Sequence, residues 1–138
     1  MNDDEAQIRG LIERWVAAVA AQDLPGVVAD HTADVAAFPL VKPPYRWVQG
    51  LAGYEEMWPP FFAWLRSGGT IELETLEVTA GDGVAYAFGL LRSGTPDELA
   101  ADPEDRLRLT VGLRREDGRW RIAHVHGSTA DAVDGPVQ

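Results

Sequence analysis

Apolar residues in the first part of the chain recur at helical spacing. A stripe at positions i, i+3, i+4 and i+7 predicts an amphipathic helix over about residues 4–21. Asp23 and Pro25 then predict a short second helix that runs to about His31, because Asp caps helix starts and Pro fits a first turn. The stripe of the first helix consists of Ile8, Leu11, Ile12, Trp15, Val16 and Val19.

The middle of the chain has short extended segments followed by a second, aromatic stripe. Residues 34–38 are small and apolar and end at a proline, which predicts a strand, and residues 45–49 could pair back as a short edge strand. Helical spacing returns over residues 54–65. Pro59 and Pro60 cannot donate backbone hydrogen bonds, so this helix should kink or restart there. Its apolar residues are Tyr54, Met57, Trp58, Phe61, Phe62 and Leu65.

The second half of the chain changes to the alternating pattern of strands. In residues 70–80 the apolar positions change from odd to even near Thr75, which predicts a β-bulge and a bent sheet. Strands over 84–92 and 107–113 follow, and an Asp-Gly turn leads into the last strand. Alternation predicts that one face of this last strand carries Trp120, Ile122, His124 and His126.

Length and composition indicate one domain over residues 1–138, with a core of about residues 4–130. The chain has 22 acidic and 12 basic residues, and its net charge of -10 makes nucleic acid a poor partner. No apolar run approaches the roughly 20 residues of a membrane span. The acidic start of the sequence is unlike a secretory signal, so we expect a cytoplasmic protein. The absence of Cys excludes disulfides and a Cys nucleophile.

The acidic segment over residues 97–105 carries five carboxylates. We expect it to be a solvated loop that aids solubility. Arg92, Arg106 and Arg108 are expected to form exposed ion pairs with it.

The order of elements and four segments of the chain resemble the SnoaL-like branch of the ketosteroid-isomerase-like proteins, within the NTF2-like superfamily. The segments are residues 8–23, 43–50, 58–65 and 118–128. The resemblance implies an α+β cone, in which a curved mixed or antiparallel sheet wraps around about three N-terminal helices and encloses a ligand pocket. It also implies a homodimer formed through the outer face of the sheet.

The resemblance does not extend to the catalytic groups of ketosteroid isomerases, which are a carboxylate base, a Tyr and a protonated Asp. Trp15 stands in place of the Tyr, and Phe38 stands at about the position of the base. The oxyanion Asp corresponds to Thr110 or Val111. We therefore do not expect ketosteroid isomerase activity.

His124 and His126 are the candidate catalytic residues, because two imidazoles two apart on a strand lie about 6–7 Å apart at the backbone. They could transfer a proton, or be structural. A metal site is not expected, since no carboxylate at suitable spacing supplies a third ligand. The resemblance and the aromatic stripes together suggest a ligand pocket formed by Trp15, Phe38, Tyr45, Trp58, Phe62 and Thr110.

Two functions are consistent with this sequence. The first is an isomerase, cyclase or lyase without organic cofactor, in which His124 or His126 moves a proton on a small apolar or carbonyl-containing ligand. The second is a non-catalytic ligand-binding or accessory protein that acts as a homodimer. The two differ in one geometric requirement, because the enzyme needs the histidines to face the pocket.

Overall fold

The computed structural model describes residues 2–39 and 47–129. Its elements confirm the predicted α+β class. The helices are α1 (Asp3–Ala20), α2 (Leu24–Val28), α3 (Leu51–Glu56), α4 (Trp58–Arg66) and α5 (Pro96–Ala101). The strands are β1 (His31–Phe38), β2 (Val48–Gln49), β3 (Thr70–Ala80), β4 (Val84–Gly94), β5 (Leu107–Glu116) and β6 (Arg119–Thr129).

The six strands form one curved sheet in the order β2-β1-β6-β5-β4-β3. The β1–β6 pair is parallel and the other neighbours are antiparallel, so the sheet is mixed. The predicted apolar stripe of α1 is confirmed, since all six of its residues are buried in the core. No helix in the described part of the chain is long and apolar enough to cross a membrane.

The predicted bulge in β3 is confirmed at Glu74. Leu73 pairs with Leu91 and Thr75 pairs with Leu90, which leaves Glu74 as the extra residue. Gly89 lies opposite this bend, where an added Cβ would overlap the Thr75 carbonyl oxygen. The sharp bend of β3 therefore depends on a glycine in the neighbouring strand.

A second bulge, in β6, was not predicted and places the histidines on the face opposite Trp120 and Ile122. Leu113 pairs with Ile122 and Gly112 pairs with His124, so Ala123 is the extra residue. Trp120 and Ile122 are buried in the core on one side of this bulge, and Val125 is buried on the other. The prediction that Trp120, Ile122, His124 and His126 share a face is wrong, because one inserted residue shifts the alternation of the strand.

The aromatic helix is interrupted, as predicted, but two residues before the first of its prolines. It divides at Met57 into α3 and α4, and Pro59 and Pro60 occupy the first turn of α4. A proline there removes no intrahelical hydrogen bond, so α4 continues through both. The predicted edge strand appears as Val48–Gln49, which pairs with β1, and its earlier residues lie outside the described part of the chain.

The acidic segment contains a helix where a loop was expected. Thr95 caps α5 through its hydroxyl, and the Glu98 carboxylate accepts from the Thr95 backbone N–H. The predicted ion pairs with the acidic side chains are replaced by bonds to backbone. The Arg92 guanidinium donates to the carbonyl oxygens of Leu99, Asp102 and Asp105.

Arg106 and Arg108 also bond to groups other than the acidic side chains of residues 97–105. Arg106 donates to both carboxylate oxygens of Glu74 at 2.9 Å, and Arg108 donates to the Thr129 carbonyl oxygen at 3.1 Å. The Arg106 pair brings the bulged residue of β3 to the start of β5.

Candidate functional site

An apolar cavity lies between α1, α4 and the concave face of the sheet. Its volume is about 100 Å³. Each surrounding element contributes apolar side chains, because their inward positions all carry aromatic or aliphatic residues. The lining includes Trp15, Trp58, Phe61, Leu91, Leu109 and Val125.

Three of the six predicted pocket residues border this cavity. Trp15 and Trp58 form part of its wall, with their ring centroids 6.3 Å apart in an edge-to-face arrangement. Phe38 lies at its border beside Pro39, and is 44% exposed. The two helical stripes therefore correctly predicted that Trp15 and Trp58 line the cavity.

Of the other three, the two that lie in the described part of the chain do not border the cavity. Phe62 is buried behind Trp58, against which its ring stacks with a centroid distance of 6.1 Å. Thr110 is exposed, since the inward positions of β5 are Leu109 and Val111. Tyr45 lies outside the described residues.

His124 and His126 also lie on the face of the sheet opposite the cavity. Their rings meet the Phe38 ring edge-to-face at centroid distances of 5.3 and 5.1 Å. Nδ1 of His124 lies 2.9 Å from the carbonyl oxygen of Ala36. Val125, between them in the chain, lines the cavity. Neither histidine is therefore placed to transfer a proton within the cavity.

A buried polar pair lies next to the cavity, formed by His31 and Tyr54. Nε2 of His31 lies 2.8 Å from the Tyr54 hydroxyl, and Nδ1 lies 2.8 Å from the Ala29 carbonyl oxygen. A carbonyl only accepts, so Nδ1 carries the proton and Nε2 accepts from the hydroxyl. Burial lowers the pKa of His31 to about 4, which keeps the imidazole neutral. Burial also raises the pKa of Tyr54.

The indole N–H groups of Trp15 and Trp58 are buried, and neither has a hydrogen-bond partner. Both indole N–H groups lie near the Tyr54 hydroxyl, where they lower its pKa against the larger effect of burial. Neither N–H reaches the hydroxyl oxygen with hydrogen-bond geometry. The Trp120 indole differs, since its N–H donates to the Asp4 carboxylate at 3.1 Å. Sequence reasoning did not detect this polar cluster, because the residues that form it are far apart in the chain.

Exposed aromatic side chains line the outer face of the sheet. Strand register places Phe88, Thr110, His126 and Phe38 in one row across β4, β5, β6 and β1. Tyr86 and His124 belong to the adjacent row. We call Phe38, Tyr86, Phe88, Thr110, His124 and His126 the outer patch.

A metal site has no support in the described part of the chain. No group of three or more His, Cys, Asp or Glu side chains within residues 2–39 and 47–129 is placed to hold a metal ion.

Comparison with known structures identifies the architecture. A crystal structure of an NTF2-like protein of unknown function from Pseudomonas putida KT2440 has 32% sequence identity, a TM-score of 0.80 and coverage of 95% of this chain and 89% of its own. An uncharacterised protein with a cystatin-like fold from Caulobacter vibrioides has 20% identity, a TM-score of 0.75 and coverage of 94% and 92%. An NTF2-like protein from Novosphingobium aromaticivorans has 16% identity, a TM-score of 0.72 and coverage of 96% and 85%.

Comparison of the sequence with family models gives the same answer. The SnoaL-like domain model matches residues 8–132. None of the curated proteins compared with the chain matches it. The chain belongs to the SnoaL-like domain family of the NTF2-like superfamily.

Proposed function

We propose that this domain binds a small, mostly apolar molecule in the cavity between α1, α4 and the sheet, without proton transfer by His124 or His126. The position of Val125 carries the proposal. Val125 lines the cavity, and alternation along β6 directs the histidines on either side of it to the opposite face, where their rings contact the Phe38 ring at the border of the cavity. The cavity wall therefore binds a ligand through apolar contacts.

The size of the cavity limits the ligand. Pockets for drug-sized ligands hold roughly 300–1,000 Å³, and an engineered apolar cavity of about 150 Å³ admits benzene. At about 100 Å³, this cavity is smaller than the benzene-binding one, which limits an enclosed ligand to at most about one ring. A steroid-sized ligand exceeds it.

A cavity-filling substitution tests the proposal. Val125→Phe fills part of the cavity with a phenyl ring, while His126→Phe places the same ring on the outer face of the same strand. Toluene binding, measured by isothermal titration calorimetry, should be lost in Val125→Phe and retained in His126→Phe. A thermal melt of each variant shows that it is folded. Retention of toluene binding by folded Val125→Phe, or no binding by the unmodified protein, would contradict the proposal.

We also propose that two copies of the chain pair through the outer patch. Phe38, Tyr86 and Phe88 are 44%, 50% and 50% exposed, although they are large and apolar. Contiguous apolar surface of this kind is uncommon on a domain that acts alone. A second copy is the favoured occupant because a two-fold axis lets the patch meet itself, and because the family resemblance implies a dimer through this face.

A further inference from the structure

A groove lies between α4, α5 and the ends of β4, β5 and β6, next to the apolar cavity. Phe61 and Leu107 line both spaces, so the groove and the cavity share a wall. The volume of the groove is about 370 Å³. Pockets for drug-sized ligands hold roughly 300–1,000 Å³, so the groove has room for a ligand of its own.

Aromatic side chains from α4 form part of the groove. Phe61 and Trp64 both line it, and their ring centroids lie 5.3 Å apart with an angle of 40° between the ring planes. The Trp64 ring packs against Gly69, where an added Cβ would overlap it, so the absence of a side chain at Gly69 lets the indole lie there. The faces of such rings attract organic cations.

Two carboxylates also line the groove. Glu98 comes from α5 and Asp105 precedes β5, and both are exposed. The Thr95 backbone N–H donates to Oε1 of Glu98 at 2.9 Å, which holds the pKa of Glu98 below its usual range and keeps it anionic. Because a carboxylate has about four acceptor positions, Glu98 can cap the helix and still contact a ligand.

The groove has no cationic side chain among its described lining residues. Arg92 and Arg106 are its neighbours in the chain, but Arg92 donates to three backbone carbonyls and Arg106 donates to Glu74. The net charge of -10 on the whole chain adds to the attraction for a cation. The groove therefore combines aromatic faces with negative charge that no lining residue neutralises.

We propose that this groove binds a small organic cation, an ammonium group that contacts the rings of Phe61 and Trp64 and lies beside Glu98 and Asp105. The aromatic faces favour an ammonium with carbon substituents over a hydrated metal ion, because its carbon atoms also gain apolar contact. This site is separate from the cavity of the proposed function, and its ligand differs in charge.

Two probes of nearly equal shape isolate the charge. Choline carries a trimethylammonium group where 3,3-dimethylbutan-1-ol carries a neutral tert-butyl group. Choline should bind at least roughly fivefold more tightly, and this preference should decrease in about 0.5 M NaCl. NMR titration of the unmodified protein measures both affinities. Absence of choline binding, or equal affinity for the two probes, would overturn the inference.

A pair of double variants tests the two carboxylates. Glu98→Gln with Asp105→Asn should reduce the preference for choline roughly threefold, and the Gln keeps the capping box of α5. Asp97→Asn with Glu104→Gln is the matched control, because it removes two charges from the same segment at positions that do not line the groove. A full preference in the first double variant, or an equal loss in both, would count against the site.

Indole signals in ¹H–¹⁵N spectra locate the bound cation without any variant. Choline should shift the Trp64 signal and leave the Trp120 signal unchanged, since Trp120 does not line the groove. A response confined to Trp15 and Trp58 would place choline in the cavity and overturn the inference. Val125→Phe, which fills the cavity, should lose toluene and retain choline, so that failure of either proposal is distinguishable from failure of the other.

Discussion

The Tyr54 hydroxyl donates to Nε2 of His31 across 2.8 Å, in a part of the core where His31 is 3% exposed. The bond joins α3 to the start of β1, and the second imidazole nitrogen donates to Ala29. A neutral imidazole satisfies both partners, whereas an imidazolium would lose its bond from Tyr54. The stability of the fold should therefore depend on pH through His31.

The sign of this dependence follows from burial. His31 has a pKa of about 4 in the folded chain, below the ordinary value of 6.5, so the unfolded chain takes up the proton first as the pH falls. The free energy of unfolding should decrease from about pH 6.5 to pH 4, with His31 contributing up to about 3 kcal/mol of the loss. Below pH 4 this residue causes no further loss.

Urea unfolding at a series of pH values measures the effect. His31→Gln removes the titrating group, so its stability should depend less steeply on pH between 6.5 and 4 than that of the unmodified protein. His126→Gln, on the exposed face, should keep the steeper dependence. Equal slopes for His31→Gln and the unmodified protein would show that His31 is not the responsible group.

The bend of β3 gives a second prediction. Gly89→Ala should destabilise the protein by at least about 2 kcal/mol, because the new Cβ overlaps the Thr75 carbonyl oxygen and the backbone must move. Gly83→Ala is the matched control, since nothing lies within 4 Å of a Cβ there, and its effect should be within about 0.5 kcal/mol. Denaturant unfolding of both variants measures the difference, and equal stabilities would mean that the bulge tolerates a side chain.

Pairing through the outer patch gives a third prediction. Phe88→Glu places a carboxylate within the patch, and should convert a dimer into a monomer with little effect on the fold. Ala17→Glu introduces the same charge on the exposed side of α1 and should leave the dimer intact. Sedimentation velocity distinguishes the two states. A monomeric unmodified protein, or a dimeric Phe88→Glu, would contradict pairing through this face.

Two bulges show how far the sequence could predict the strands. The change of phase between Leu73 and Leu76 predicted the β3 bulge correctly. In β6 the inward positions change in the same way, from even at Ile122 to odd at Val125. His124 and His126 also stand at even positions, so they made the strand look regular and hid this change. Alternation does not distinguish an inward histidine from an outward one, because imidazole is found both in cores and at surfaces.

Other differences have separate physical reasons. The α5 helix had a local signal, since Thr95 and Glu98 have capping-box spacing around Pro96, but the acidic composition favoured a loop. The His31–Tyr54 bond had no local signal, because its partners lie 23 residues apart and meet only after β1 and α3 pack. The stripes of α1 and α4 predicted Trp15 and Trp58 in the cavity wall, since helix periodicity places a residue on a face directly.

The central claim is that the ligand lies on the inner side of β6 and not beside the histidines. A ¹H–¹⁵N titration with toluene tests this most directly, because inner and outer residues alternate along the same strand. The largest changes are expected at Val125 and Leu109 and at the Trp15 and Trp58 indoles, with small changes at the His126 and Thr110 amides. Changes centred on His124, His126 and Thr110 would place the ligand on the outer face and contradict the account.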